Sequence, residues 1–190
     1  MKLTSAELEA AFGGMLGVLS ERFEDAGVPW MVIGGLAVSV WTEPRGTKDC
    51  DIALLLEHHT DVVAETISAA GIELTRAELH QIRNGGVARG RFRHDGATLM
   101  VDFLAGGTPF EKSALARRER CEVLGVAAWI VSSDDLLIYK LIAGRPQDLA
   151  DVDKLIRFRR APLDRAYVDR WAREWEVEDQ LARAIELADR

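Results

Sequence analysis

Cysteine is scarce in this chain. Cys50 and Cys121 are the only two among 190 residues, too few for a disulfide framework, and no Cys/His spacing reads as a zinc site. Long hydrophobic runs are missing too: no stretch reaches the length of a membrane helix, and the first residues lack the basic, apolar and small-residue order of a signal peptide. The expectation is a cytoplasmic protein without membrane contact. Proline is sparse, five in all, and no segment is repetitive or of low complexity. Positive charge is in deficit, with 24 Lys+Arg against 31 Asp+Glu and a formal charge of −7. That argues against a general nucleic-acid coat protein while leaving room for a local basic groove. What the chain does have is 48% apolar and 29% charged residues, the balance of a globular protein able to bury a core without staples.

Helix and strand signals alternate through the first two thirds. Thr4 with Glu7 forms a capping box, followed at helical spacing by Leu8, Phe12, Met15, Leu19 and Phe23, with a stop at Gly27. Trp30 to Ile33 reads as a buried strand running into Gly34-Gly35, and Leu36 to Trp41 as a short helix stopped by Pro44. A second buried strand is expected over Asp51 to Leu56, and a helix from Thr60 to about Ala70. Val87 to Arg93 and Leu99 to Leu104 flank Asp95-Gly96, a hairpin signal. Pro109 to Arg118 reads as a helix, with short strands at Cys121 to Leu124 and Ala128 to Val131. After Ser132 the pattern is helical: roughly Asp134 to Ala143, Pro146 to Arg159, Leu163 to Trp175 and Val177 to Ala188. The predicted layout is an α/β core over residues 1–131 and a helical region over 132–190.

The chemistry is concentrated around Gly34-Gly35 and Asp49-Cys50-Asp51. Residues two apart in a strand share a face, so Asp49 and Asp51 present adjacent carboxylates, which is costly unless a positive charge lies between them. Mg²⁺ suits that need, because it binds through one or two carboxylates and leaves positions for phosphates. Asp102, in the middle of the apolar run Leu99 to Leu104, supplies a third acid. If its strand lies beside that of Asp49 and Asp51, the three could hold two metals for in-line phosphoryl displacement. The competing assignments are a solvated strand end with Asp49 paired to Lys48 or Arg45, and a salt bridge from Asp102 to Arg91 or Arg93. Gly-Gly between strand and helix permits close backbone approach, and a helix N-terminus favours an anion. Lys140 lies among apolar neighbours, and antiparallel helices around Gly144-Arg145-Pro146 would bring it to Asp148. Asp151 and Asp153 are expected to solvate their helix, although Asp151 is one turn from Asp148 and could join its network.

Strand, Gly-Gly, short helix, Asp-x-Asp and a third Asp on a later strand together resemble the DNA polymerase β-type nucleotidyltransferase superfamily. Arg45-x-Thr47-x-Asp49-x-Asp51 resembles the minimal nucleotidyltransferases and the AbiEii-type toxin nucleotidyltransferases. Lys140 through Arg145-Pro-Gln-Asp148-Leu-Ala-Asp151 resembles a segment of the second group. The resemblance spans about residues 30 to 155. It implies an α+β fold, a small mixed β-sheet flanked by helices, with the C-terminal helical region closing over the nucleotide. It also implies transfer of a nucleoside monophosphate from an NTP such as ATP to an acceptor, with two Mg²⁺ ions and release of pyrophosphate.

By residue-wise carry-over, Gly34 and Gly35 would hold the triphosphate, with Arg45 and Thr47 in the same nucleotide-binding segment. Asp49 and Asp51 would bind both metals, and Asp102 the catalytic one. Lys140 would contact phosphate, and Asp148 would orient Lys140 or the base and sugar. Cys50 replaces a branched apolar residue and should point into the core; Gly35 stands where many relatives have Ser. The acceptor could be tRNA, a protein side chain or a small molecule. The alternatives are a non-catalytic nucleotide- or partner-binding half of a toxin–antitoxin pair, and an antibiotic adenylyltransferase.

His58 and His59 are adjacent and diverge, so they make a poor metal pair, while His80 and His94 carry no signal. The arginines at 83, 89, 91, 93, 117, 118 and 120 could form a basic rim for triphosphate or RNA, or a charged strand edge. Trp171, Trp175, Leu181 and Ile185 would form core or a homodimer interface.

Overall fold

The computed structural model describes residues 4–43, 47, 49–55, 60–94, 96–158 and 162–188. In chain order the elements are α1 (Ser5–Asp25), β1 (Trp30–Ile33), α2 (Gly34–Trp41), β2 (Asp49–Leu55), α3 (Thr60–Ala69), β3 (Ile72–Glu73), α4 (Arg76–Arg83), β4 (Val87–His94) and β5 (Ala97–Gly106). They continue with α5 (Pro109–Ala116), β6 (Glu119–Val123), β7 (Val126–Ile130), α6 (Ser133–Ala143), α7 (Pro146–Arg157), α8 (Arg165–Glu174) and α9 (Glu178–Ala188). None of these helices is long and apolar enough to cross a membrane.

The strands form one mixed sheet in the order β3-β4-β5-β2-β1-β7-β6. The β1/β2, β3/β4, β4/β5 and β6/β7 pairs are antiparallel, whereas β1/β7 and β2/β5 are parallel. The interior strand β1 is buried along its whole length, which is why its sequence is continuously apolar rather than alternating. In β5 the odd positions Leu99, Val101, Phe103 and Ala105 are buried while Met100, Asp102 and Leu104 are only half-buried. The sheet therefore has an apolar covered face and a more open one, and the acidic residues of β2 and β5 lie on the latter.

Local chemistry sets the boundaries. Thr4 and Glu7 close the expected capping box at the head of α1, and Phe12, Met15, Leu16, Leu19 and Phe23 are buried behind it. The β4–β5 hairpin reverses between His94 and Ala97 as expected, Gly96 supplying a left-handed φ of 78°, while Asp95 lies outside the described residues. Two elements carried no prediction: the two-residue strand β3 and the helix α4, capped by Thr75 and Glu78. The β6–β7 turn is made by Leu124 (φ 51°) and Gly125 (φ 77°), so β6 lies earlier than the apolar run Cys121 to Leu124 indicates. A leucine in the left-handed region gives no turn signal in sequence.

Candidate active site

A row of functional groups crosses the open face of the sheet. Asp51 of β2 is the register partner of Asp102 on the parallel neighbour β5, and of Ile33, the last residue of β1, on the other side. Partners in register project to the same face, and Asp49 joins them two positions along β2. Beyond Ile33 the chain turns through Gly34 into α2, with Gly34 at φ 65°. A Cβ on Gly34 would stand 1.9 Å from an Asp51 carboxylate oxygen, so glycine is required by close approach as well as by backbone conformation. The Gly35 amide donates to the Asp51 carboxylate. The glycine pair thus cradles an acid of the site.

Electrostatics at Asp51 are unfavourable. Burial pushes its pKa up, the Asp102 charge adds to this and Asp49 contributes, while the Gly35 amide and the Lys140 charge oppose it. Cys50, between the two acids, is fully buried and points into the core as expected; burial, then Asp51 and Asp102, raise its thiol pKa. Thr47 donates its hydroxyl to the Asp49 carbonyl at 2.9 Å, tying down the entry to β2. Arg45, together with Lys48, His58 and His59, lies outside the described residues.

A cavity of about 160 Å³ opens beside Asp51, lined by Gly34, Tyr139, Lys140, Arg145 and Asp148 among others. The Tyr139 hydroxyl is buried without a hydrogen-bond partner among the described residues. Lys140 and Asp148 do meet across the α6–α7 turn, with Nζ 2.9 Å from Oδ1. The expectation that Asp151 solvates α7 is corrected: Asp151 is fully buried, and its Oδ2 lies 2.9 Å from the same Nζ. Asp148 also accepts from the Arg145 Nε at 2.5 Å and from its backbone amide at 3.3 Å.

The partner of Asp102 is neither Arg91 nor Arg93 but Arg89, whose Nε and Nη2 lie 2.6 and 2.5 Å from the two carboxylate oxygens. This contact was readable in principle. Counting outward from the Asp-Gly signal in the sequence pairs His94 with Ala97, and therefore Arg89 with Asp102, the register observed. The other rim arginines are also engaged: Arg83 with Asp61, Arg91 with Glu78, Arg93 with Glu73, Arg117 with Asp134, Asp135 and Asp164, and Arg120 with Glu24. Arg118 stacks over Trp129.

No family model matches the sequence, and no curated protein matches it. Among solved structures, an antigenic nucleotidyltransferase-like protein from Paracoccidioides brasiliensis superposes with a TM-score of 0.58 at 15% identity, over 97% of this chain and 94% of that one. The chain has a nucleotidyltransferase-like fold. The antibiotic-resistance factor ANT(2'')-Ia, matched at a TM-score of 0.50 and 9% identity over 94% of this chain and 91% of its own, shares it.

The divalent cation that the sequence resemblance implies would need hard oxygen donors, and the residues present supply a set of a particular kind. Among the described residues, no group of three or more His, Cys, Asp or Glu could hold a metal ion by itself. Asp51 and Asp102, adjacent in register, bring hard oxygen donors together, Asp51 with its pKa raised by burial and by the Asp102 charge, and Asp102 with both oxygens on Arg89. That arrangement fits Mg²⁺, which completes its shell with water and substrate phosphates, rather than an ion caged by protein alone.

Proposed function

We propose that this protein is a Mg²⁺-dependent nucleotidyltransferase that moves a nucleoside monophosphate from an NTP to an acceptor and releases pyrophosphate. The observation that carries the reading is that Asp51 and Asp102 are register partners on adjacent strands, with Gly34 at the start of α2 pressed against Asp51, beside a cavity lined by Lys140. Phosphoryl transfer needs mainly positioning and charge neutralisation, and this geometry is suited to both. Asp51 and Asp102 would hold the cation, with Asp49 beside them for a second, and bound Mg²⁺ would supply charge neutralisation at the phosphates. Asp102 accepts or orients the acceptor proton. The start of α2 offers amides to the polyphosphate, and Lys140, held by Asp148 and Asp151, contributes fixed positive charge at the cavity wall. The small cavity suits phosphate groups; base and ribose would extend over the open sheet face. Residues 132–190 act as the cover over a core of residues 1–131.

The arginines at 83, 91, 93 and 120 each lie against a carboxylate, so the rim carries little net positive charge, which supports a small-molecule or protein acceptor over tRNA. The same site on a toxin would modify a partner-controlled target in the cytoplasm. Pyrophosphate release is the test, with each of the common NTPs, Mg²⁺ and candidate acceptors, comparing the wild type with Asp51→Asn. Turnover that needs Asp51 supports the reading. Equal turnover in Asp51→Asn removes the proposed metal ligand, and nucleotide binding without turnover on any acceptor favours a binding module.

A further inference from the structure

Arg89 sits in the row where positive charge is needed. It is the register partner of Asp102, which is the partner of Asp51, so guanidinium and both carboxylates share one face across β4, β5 and β2. Its two nitrogens fork onto both oxygens of Asp102, at 2.6 and 2.5 Å. A guanidinium in that position covers the edge of the carboxylate that a hard cation would use.

The contact does little for the fold. The β4–β5 hairpin is already registered by eight residue pairs, and the Arg89 side chain is 55% exposed, where water weakens an ion pair. Exposure also means that the side chain can swing away without disturbing the strand. Asp102, by contrast, is only 19% exposed, so it stays in place while its partner changes.

We propose that Arg89 is a displaceable latch on Asp102. In the metal-free protein its guanidinium neutralises this carboxylate beside Asp51, and a divalent cation binds by taking Asp102 from it. The inference rests on the nucleotidyltransferase reading of the site. The exchange is non-covalent: one cation enters and one guanidinium rotates out. It accounts for three acids on one face that nevertheless do not form a cage among the described residues. Once released, Arg89 lies at the open face, free to fork onto a phosphate oxygen.

Calorimetric titration of Mn²⁺ into the full chain, without nucleotide, separates a latch from a structural arginine. Arg89→Ala should bind Mn²⁺ about tenfold more tightly than wild type, the value of a charge-assisted hydrogen-bonded contact that the metal no longer has to break. Arg89→Lys should fall between them, since an ammonium keeps the charge but cannot fork. In an Asp102→Asn background, Arg89→Ala should change nothing, because the latch then has no carboxylate to release. A cooperative melt of each variant confirms that it is folded. Equal or weaker binding by Arg89→Ala, with binding abolished by Asp51→Asn, overturns the latch and leaves the site reading intact. Failure of every chain to bind Mn²⁺, with or without ATP, overturns both.

Discussion

Gly34 shows how little freedom the site allows a single residue. Its left-handed φ and the 1.9 Å approach of a would-be Cβ to Asp51 act together. Gly34→Ala should cost about 2 kcal/mol in a denaturant melt and lower pyrophosphate release at least about 100-fold, since the carboxylate must move. Asp51 itself lies on the other side of the balance. Burial, then Asp102, raise its pKa, so the folded state holds that proton more tightly than the unfolded chain does. Its ionisation therefore subtracts stability as pH climbs from the ordinary carboxylate value through the raised one. At neutral pH, Asp51→Asn should leave the melting temperature unchanged or raised while abolishing transfer. The stability gap between the two proteins should close as pH falls. A marked loss of stability at neutral pH would contradict this assignment of charge.

At the level of elements, the α6–α7 pair holds its cation in a buried clamp. Lys140 is 7% exposed, Asp148 2% and Asp151 fully buried. Burial alone would raise the Asp148 pKa, but hydrogen bonds from Arg145 and Lys140 outweigh it and hold the pKa below the usual value. The sign is the reverse of Asp51: this stabilisation is full above the unfolded carboxylate pKa and fades as pH falls through the depressed one. Asp148→Asn, which leaves Lys140 with Asp151 alone, should cost about 3 kcal/mol in urea melts at neutral pH, and less in acid. This clamp was half legible in sequence. A Gly-Arg-Pro turn announces antiparallel helices and so predicts Lys140 with Asp148, and Asp151, one turn on, shares that face, but its complete burial depends on packing. The same contrast runs through the fold. Helices with capping boxes and apolar spacing, such as α1, could be read directly. In α4 the cap Thr75/Glu78 was present, but Leu79 and Ile82 are its only large apolar residues, too few to set a period. Two residues, the length of β3, set none either.

Across the whole molecule, the aspartates were legible because strand periodicity and a glycine turn constrain them locally, whereas Arg89 becomes distinct from Arg91 and Arg93 only once the hairpin register is fixed. Pairing also explains why the exposed basic rim carries little net positive charge: its arginines lie against acids supplied by other elements, under an overall charge of −7. An acceptor bound here should therefore show a weak salt response. Raising salt from about 50 to about 200 mM should alter its KM by less than about threefold, against the roughly 1,000-fold or greater loss typical of a multi-phosphate contact. The central claim is that Asp51 and Asp102, beside the Gly34 turn, form one centre for metal and triphosphate. The most direct measurement is a crystal structure with a non-hydrolysable NTP and Mn²⁺. The account predicts anomalous density between those two carboxylates, with the polyphosphate at the start of α2. Nucleotide bound elsewhere, or manganese touching neither aspartate, would contradict it.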